Sequence, residues 1–221
     1  MSTITYQQVR ESEEIKIYIQ EADRSLQALG YTEHSFAHVS KCAKVASDLL
    51  EQLGYPARTC ELAAIAGYMH DIGNVVNRID HAQSGAVMAF RILDKMGMAP
   101  EELAAVVTAI GNHDEKTAFP VNEVAAALIL ADKTDVRRSR VRSKADIQTD
   151  IHDRVNYAVH HSKTVLDKDN MIFSLQMELD TEVCPILEYF EIFMERMLLC
   201  RRAADFFGLK FEGIINGQKL M

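Results

Sequence analysis

The chain has 221 residues, of which 48% are hydrophobic and 25% are charged, so it is long enough to bury a full core with a small appended subdomain. Its formal net charge of −8 argues against a general nucleic-acid binder, because such binding depends on an excess of Lys and Arg. No stretch is long and apolar enough to span a bilayer, and the first residues lack the basic and apolar regions of a signal peptide. We therefore expect a soluble cytoplasmic protein with no membrane partner.

Apolar residues recur at three- and four-residue intervals through the first 145 residues, which is typical of amphipathic helices. The predicted helices cover about residues 8–29 and 36–53, a segment ending at His70, about residues 81–96, a segment from Glu101 toward His113, and the run Val124–Ala131. We predict one helical domain over residues 1–145.

The pattern changes after about residue 145. Phe173, Leu175, Met177 and Leu179 alternate with polar residues, which predicts a half-buried strand, and residues 163–167 could pair with it through a turn at 167–170. A long helix over residues 181–207 and a third strand over 209–215 complete a small α+β subdomain, residues 146–221, with three short strands. The apolar stripe of the long helix is wide, so the helix either covers this sheet or forms a homodimer contact. The predicted fold class is mainly α with this C-terminal appendage.

One set of side chains suggests chemistry. His70 and Asp71 close a predicted buried helix, and together they can bind one metal while the second carboxylate oxygen bridges to another. A lone histidine on an apolar helix is more often a hydrogen-bonded core residue, but Asp132 ends a buried run, where a carboxylate needs compensation. The candidate metal ligands are His38, His70, Asp71, His81, His113 and Asp132.

Nitrogen and oxygen donors of this kind suit iron, manganese, nickel, cobalt or zinc. None of the four cysteines has CxxC spacing, and we expect none of them to be positioned to favour a structural zinc site: Cys42, Cys60, Cys184 and Cys200.

These residues resemble the HD-domain metal-dependent phosphohydrolase superfamily over roughly Tyr31–Arg142. The resemblance is carried by His38, by the segment Met69-His70-Asp71-Ile72-Gly73 and by Leu130-Ala131-Asp132, and the added His81 and His113 are similar to the branch with two metals. It implies an HD-type helical core with two divalent transition-metal ions, iron being preferred. His38, His70, Asp71 and Asp132 would hold the first ion; His81, His113 and the other oxygen of Asp71 would hold the second.

Two such ions can bridge a hydroxide and stabilise the attacking and leaving oxygens at phosphorus, with His70 and Asp71 as catalytic residues. The resemblance therefore implies hydrolysis of a phosphoester or phosphoanhydride, in a small nucleotide-type substrate, without a covalent intermediate. Two alternatives stay open at this point. Some proteins with a similar ligand set are di-iron oxygenases, and others are binding or regulatory modules without turnover.

Further anionic groups of a substrate would need their own donors. Six basic residues lie between Lys133 and Lys144, directly after a candidate ligand, and arginine grips phosphate oxygens with two hydrogen bonds. His34 lies four residues before His38 and would share its helix face. The candidate substrate-binding residues are His34, Lys133, Arg137, Arg138 and Arg142. The alternative is that the basic run is a solvated face.

Overall fold

The computed structural model describes residues 3–142 and 150–221 and divides the chain into two compact units, Met1–Asp132 and Lys133–Met221. The predicted domain boundary at residue 145 lies outside the described residues, and so does Lys144 of the basic run. The two units divide directly after Asp132, the last of the candidate metal ligands.

The first unit is helical, as predicted, and its described residues contain no strand. Its helices are α1 (Tyr6–Glu11), α2 (Glu13–Ala28), α3 (Phe36–Gln52), α4 (Ala57–Met69), α5 (His81–Met96), α6 (Pro100–Gly111) and α7 (Glu123–Lys133), with a 3-10 turn at Ile72–Val75. The last of them continues by one residue into the second unit.

The prediction of one continuous helix over residues 8–29 was wrong, because the structure has two helices there, divided at Ser12. The backbone of Ser12 is extended, with φ −62° and ψ 118°, and its side chain accepts a hydrogen bond from the Ile15 amide. Serine is a preferred N-cap because it satisfies an amide that the helix cannot. The apolar stripe of α2 is nevertheless buried along Ile15, Ile19 and Leu26.

Helix α4 is the centre of the first unit, since every residue from Leu62 to Met69 is buried. Gly67 lets α4 approach α3 closely: a Cβ at this position would lie 2.7 Å from the Ala43 amide nitrogen and 2.8 Å from the Ala43 Cα. The contact is therefore made by main chain, and it fixes α4 against α3 at the level of the candidate ligands His38 and His70.

The second unit contains a four-stranded sheet in the order β1-β2-β3-β4. Its elements are a 3-10 turn (Arg138–Arg140), α8 (Ile151–Ala158), β1 (Val159–Asp167), β2 (Ile172–Leu179), α9 (Ile186–Phe206), β3 (Lys210–Ile215) and β4 (Gln218–Lys219). β1 and β2 form an antiparallel hairpin, β2 and β3 are parallel with α9 between them in sequence, and β3 turns into β4. The fold class, mainly α with a small C-terminal α+β part, is confirmed.

Three details of the second unit differ from the prediction. Helix α8 and strand β4 were not predicted, and α9 begins at Ile186 instead of residue 181. Pro185 precedes α9, and the residue before a proline is disfavoured in the helical region, so the helix cannot extend back through Cys184.

Two residues of the apolar stripe of α9 lie on its outer side. Phe193 and Met197 are buried, while Leu187 is 77% exposed and Met194 is 42% exposed. The homodimer contact through this helix stays a prediction. In the described ranges, no helix combines the length and the apolar character needed to cross a bilayer.

Candidate metal centre

The structure brings all six candidate ligands together in the interior. His38 lies in the first turn of α3, His70 and Asp71 follow the last residue of α4, and His81 begins α5. His113 comes two residues after α6, and Asp132 lies in the last turn of α7. None of the six is more than 9% exposed. Their role as ligands is argued below from the geometry.

Four of these side chains form what we term the first cluster: His38, His70, Asp132 and the Oδ2 atom of Asp71. Nε2 of His38 lies 3.6 Å from Asp71 Oδ2 and 3.4 Å from Asp132 Oδ1, and Nε2 of His70 lies 3.3 Å and 3.8 Å from the same two oxygens. Tetrahedral ligands about 2.1 Å from one ion are separated by about 3.4 Å. The first cluster therefore has the spacing of a ligand set.

The second cluster consists of His81, His113 and the Oδ1 atom of Asp71. This oxygen lies 3.6 Å from His81 Nε2 and 4.0 Å from His113 Nε2, and the two Nε2 atoms are 3.2 Å apart. The two oxygens of Asp71 thus face different clusters, one each. A carboxylate placed in this way can bridge two cations.

Three of the histidines are oriented by the same local hydrogen bond. Nδ1 donates to the backbone carbonyl three residues earlier in His70 (Gly67, 2.8 Å), His81 (Arg78, 3.1 Å) and His113 (Ile110, 2.6 Å). A carbonyl only accepts, so Nδ1 carries a proton and Nε2 is the ring atom directed at the clusters. For His70 and His113, the carbonyl belongs to the last turn of α4 or α6, where the helix leaves its carbonyls without partners.

Nε2 of His70 is buried and has no hydrogen-bond partner among the described residues. A buried nitrogen with a lone pair is costly unless something binds it. A metal ion among the first cluster would satisfy this atom, so the residues present fit the ion that the resemblance implies.

The electrostatics of Asp71 favour positive charge beside it. Burial by itself would raise the pKa of Asp71, but the neighbouring His70, followed by His34 and His81, holds that pKa well below its usual range. Burial would likewise lower the pKa of His70, yet Asp71, Asp132 and the Gly67 carbonyl together outweigh it and raise that pKa. Asp71 is therefore an anion at neutral pH, in a site built to stabilise a cation.

Asn74, which the sequence analysis missed, holds Asp71 in place. Its Nδ2 donates to Oδ1 and to the backbone oxygen of Asp71, both at 2.9 Å. The 3-10 turn that carries Asn74 packs tightly on α5, because a Cβ on Gly73 would overlap the carbonyl oxygen of His81 and come within 2.5 Å of the Gly85 nitrogen. The spacing His70-Asp71-x-x-Asn74, one turn of chain, was the available signal.

Cys42 lies beside the first cluster, a position that the sequence analysis did not predict. Its sulfur lies 3.7 Å from both ring nitrogens of His38, and one donor atom from each of Cys42, His38, His70 and Asp132 falls within 4.8 Å of the others. Cys42 is four residues after His38 on α3, and this i, i+4 spacing was the signal. A thiol at this distance adds a soft donor to a set of nitrogen and oxygen donors.

Arg78 was also missed. It lies in the loop before α5, and its Nη1 donates to His81 Nε2 at 3.2 Å and contacts Asn74 Oδ1 at 3.4 Å. A single arginine in a loop has no periodic pattern from which its position could be predicted.

Among the predicted substrate-binding residues, His34 lies beside the first cluster. Its ring centroid is 5.4 Å from that of His38, its Nδ1 donates to the carbonyl of Thr32 at 2.7 Å, and its amide donates to Asp23. The structure therefore places His34 next to the candidate ligands, and contact with a substrate stays a prediction.

The remaining predicted substrate-binding residues belong to the second unit. Arg137 pairs with Asp135 at 3.0 Å, and Arg138 donates to the carbonyl of Tyr157 and stacks over its ring. Lys133 is buried, and Arg142 is half-buried at the end of a described range. Arg137 and Arg138 thus have structural partners within their own unit, and their role as an anion clamp stays a prediction.

Comparison with known proteins identifies the family. The family model described as "HD domain" matches residues 35–146, about half of the chain, and the chain therefore belongs to the HD domain family. This match includes all six candidate ligands.

The chain is also similar to a crystal structure of a predicted HD superfamily hydrolase from an uncultured Thermotogales bacterium. The identity is 27%, the match covers 56% of this chain and 67% of the other, and the TM-score of 0.45 is too low to support a conclusion. No curated protein matches the chain. Family membership and the buried cluster of His, Asp and Cys side chains support divalent-metal binding and, in general terms, a metal-dependent hydrolase.

Proposed function

We propose that this protein is a phosphohydrolase that holds two divalent transition-metal ions, one at each cluster, and cleaves a phosphoester or phosphoanhydride in a small nucleotide-type substrate. The observation that carries the proposal is the position of Asp71. Its Oδ2 lies 3.3 Å from His70 in the first cluster, and its Oδ1 lies 3.6 Å from His81 in the second.

The number of ions follows from the number of donors. Six side chains are too many for one tetrahedral site, and they fall into two groups that share a single carboxylate. Oδ2 of Asp71 lies near His38 and His70, and Oδ1 lies near His81 and His113, while His70 and His113 are close enough for the two groups to adjoin. One ion could not use both groups without leaving several buried donors unsatisfied.

The metal-binding residues would position the reaction. When bound, a pair of divalent ions activates water and offsets charge at phosphorus, so no serine or cysteine nucleophile is required. Asp71 would hold the two sites at a fixed separation, and Asn74 would keep the Oδ1 atom of Asp71 directed at the second cluster. The carbonyl partners of His70, His81 and His113 keep each Nε2 directed inward.

Iron is the metal that the family resemblance favours, and the nitrogen and oxygen donors also suit manganese, nickel, cobalt and zinc. The Cys42 thiol beside His38 favours the softer members of this group, ferrous iron and zinc, at the first cluster.

The proposal is tested on protein purified without a chelator. Metal content and anomalous scattering should show two ions, one among His38, His70 and Asp132 and one beside His81 and His113. A single ion, with His81 and His113 both distant from it, would contradict the proposal.

Activity is tested by assaying the protein, loaded with each metal in turn, against a panel of nucleotides and phosphoesters. Release of inorganic phosphate or of a nucleotide from at least one panel member, abolished by Asp71→Asn, is the expected result. Oxygen consumption coupled to turnover, without phosphate release, would instead indicate oxygenase chemistry on the same ligand set.

A further inference from the structure

Arg78 contacts the second cluster with both its main chain and its side chain. Its carbonyl accepts the hydrogen bond that orients His81, and its Nη1 reaches the other side of the same ring, 3.2 Å from Nε2. Its guanidinium carbon lies 5.5 Å from the centre of the Tyr31 ring. The side chain is half-buried. Arg78 therefore lies at the edge of the second cluster, in hydrogen-bonding contact with the candidate ligand His81.

The charge of Arg78 has no carboxylate partner among the described residues. All of its contacts are neutral: the Asn74 side-chain oxygen, the His81 nitrogen and the Tyr31 ring. Two other arginines of the same unit do have carboxylate partners. Arg58 pairs with both Glu61 and Glu102, and Arg24 pairs with Glu21.

A half-buried guanidinium beside two metal ions would be repelled by them unless an anion lies between. Asp71 and Asp132 belong to the clusters, and Asp114 lies beside the second one, with its Oδ1 4.0 Å from His81 Nδ1. These three carboxylates carry one negative charge fewer than the four positive charges of two divalent ions. A phosphate group would supply this charge, and the guanidinium fork would hold two of its oxygens.

We infer that Arg78 is the anion-binding residue of this centre and contacts the phosphate group of the substrate at the second cluster. The inference rests on the proposed function, since it assumes metal ions at the clusters. The charge of the reacting phosphate would then determine substrate specificity. Monoesters, whose phosphate carries two negative charges, are favoured over diesters, whose phosphate carries one. The inference also places the phosphate-holding arginine in the first unit, before α5, instead of in the basic run after Asp132.

The test measures binding of inorganic phosphate to the metal-loaded protein, by calorimetry and as product inhibition of hydrolysis. The variants are Arg78→Gln, which removes the charge and keeps the main chain that orients His81, and Arg78→Lys, which keeps the charge without the fork. Arg24→Gln is the matched control, because Arg24 is exposed on α2 and pairs only with Glu21. Metal content is measured for every variant.

Arg78→Gln should weaken phosphate binding about 10- to 100-fold, which is the usual effect of losing hydrogen bonds to a charged group. Arg78→Lys should recover part of the loss, Arg24→Gln should match the wild type, and all variants should keep the same metal content. For hydrolysis, KM should rise more for a monoester than for a diester.

Two results would overturn the inference. One is unchanged phosphate affinity in Arg78→Gln with full metal content, and the other is a wild-type protein that holds its metals and binds no phosphate. A wild-type protein that takes up fewer than two ions would instead refute the proposed function itself. The metal measurement therefore separates the two failures.

Discussion

The two sides of Asp71 are built differently. The first cluster has two histidines, the shared Asp71 and its own carboxylate, Asp132, and it lies on helices α3, α4 and α7. The second cluster has two histidines and only the shared carboxylate. Its histidines lie at the start of α5 and two residues after α6, at helix ends like the residues of the first cluster.

If each cluster holds one ion, as we propose, this difference predicts a division of roles between them. Two carboxylates almost neutralise a divalent ion at the first cluster, whereas the second cluster leaves more positive charge and fewer protein donors. An ion at the first cluster should therefore bind more tightly, and one at the second should exchange more readily and leave positions for substrate oxygens. Each prediction below tests this contrast.

The largest effect should come from Asp71→Asn, because Asp71 is the one ligand that both clusters share. We expect both ions to be lost and hydrolysis to fall by at least about a thousandfold, since metal ions contribute several kcal/mol of transition-state stabilisation. Metal analysis and phosphate-release assays measure this. Asp48→Asn, on the exposed face of α3 where Asp48 pairs with Lys44, is the control. Retention of the full metal content would show that Asp71 is not a bridging ligand.

A smaller and one-sided effect should follow from replacing a ligand of one cluster. His113→Ala should remove the second ion and leave the first, so the metal content should fall from two ions to one. His70→Ala should destabilise the first ion, and because the first cluster is the tighter site, its loss should abolish hydrolysis. Metal titration followed by chelator competition distinguishes the two variants. Equal loss of both ions in each variant would show that the clusters are not independent.

Asn74→Ala should weaken the second ion selectively. Asn74 donates to Oδ1, the oxygen of Asp71 that faces His81 and His113, and residues that orient a ligand typically contribute 10- to 100-fold in metal affinity, so we expect a loss of about that size. The affinity of the first cluster should change less. Asn170→Ala, in the β1–β2 turn of the other unit, is the control. A larger loss of metal affinity at the first cluster would show that Oδ1 of Asp71 binds the first ion and not the second.

The smallest effect should come from Glu102→Gln, which removes an ion pair between the N-terminal ends of α4 and α6, far from the clusters. Arg58 near the start of α4 donates to Glu102 near the start of α6 at 2.7 Å, and the pairing lowers the pKa of Glu102. A lowered carboxyl pKa stabilises the fold above the usual carboxyl range, and this contribution is lost as the pH falls through the lowered pKa. Glu102→Gln should therefore lower the free energy of unfolding by about 1 kcal/mol at pH 7 and by less in acid.

Denaturant titrations of the wild type and Glu102→Gln at several pH values measure this. Metal content should stay at the wild-type level in the variant, because the clusters lie at the opposite ends of α4 and α6. A difference in stability that grows as the pH falls would contradict the assigned ion pair.

The clusters show which parts of a site can be predicted from sequence. His38, His70 and Asp132 lie in or directly after apolar helical runs, so periodicity predicts that they point into the core. Their encounter in space follows from the packing of three helices; the coincidence of six ligand-capable residues and the family resemblance indicated it in advance. Asn74 and Cys42 lie within one turn of predicted ligands, and their spacing would have been sufficient to find them.

The features that sequence reasoning missed depend on local geometry without a periodic signal. Arg78 lies in a loop that includes Asp80 with a φ of 57°, and the direction of a side chain in such a loop is set by tertiary contacts. Helix α8 has only eight residues, and half of them are polar. The first predicted helix is divided at Ser12 although its apolar positions keep helical spacing. Periodicity alone does not show that the Ser12 side chain caps a new helix at this point.

The close contact of Gly73 with α5 has a consequence for how the protein can evolve. Because the main chain of Gly73 lies directly against that of His81 and Gly85, the separation between Asp71 and the second cluster is set by backbone atoms and not by the sizes of core side chains. Core residues elsewhere can therefore change in volume without altering this separation. Selection can therefore vary the surrounding core while the spacing between Asp71 and His81 is kept, provided that this one glycine is retained.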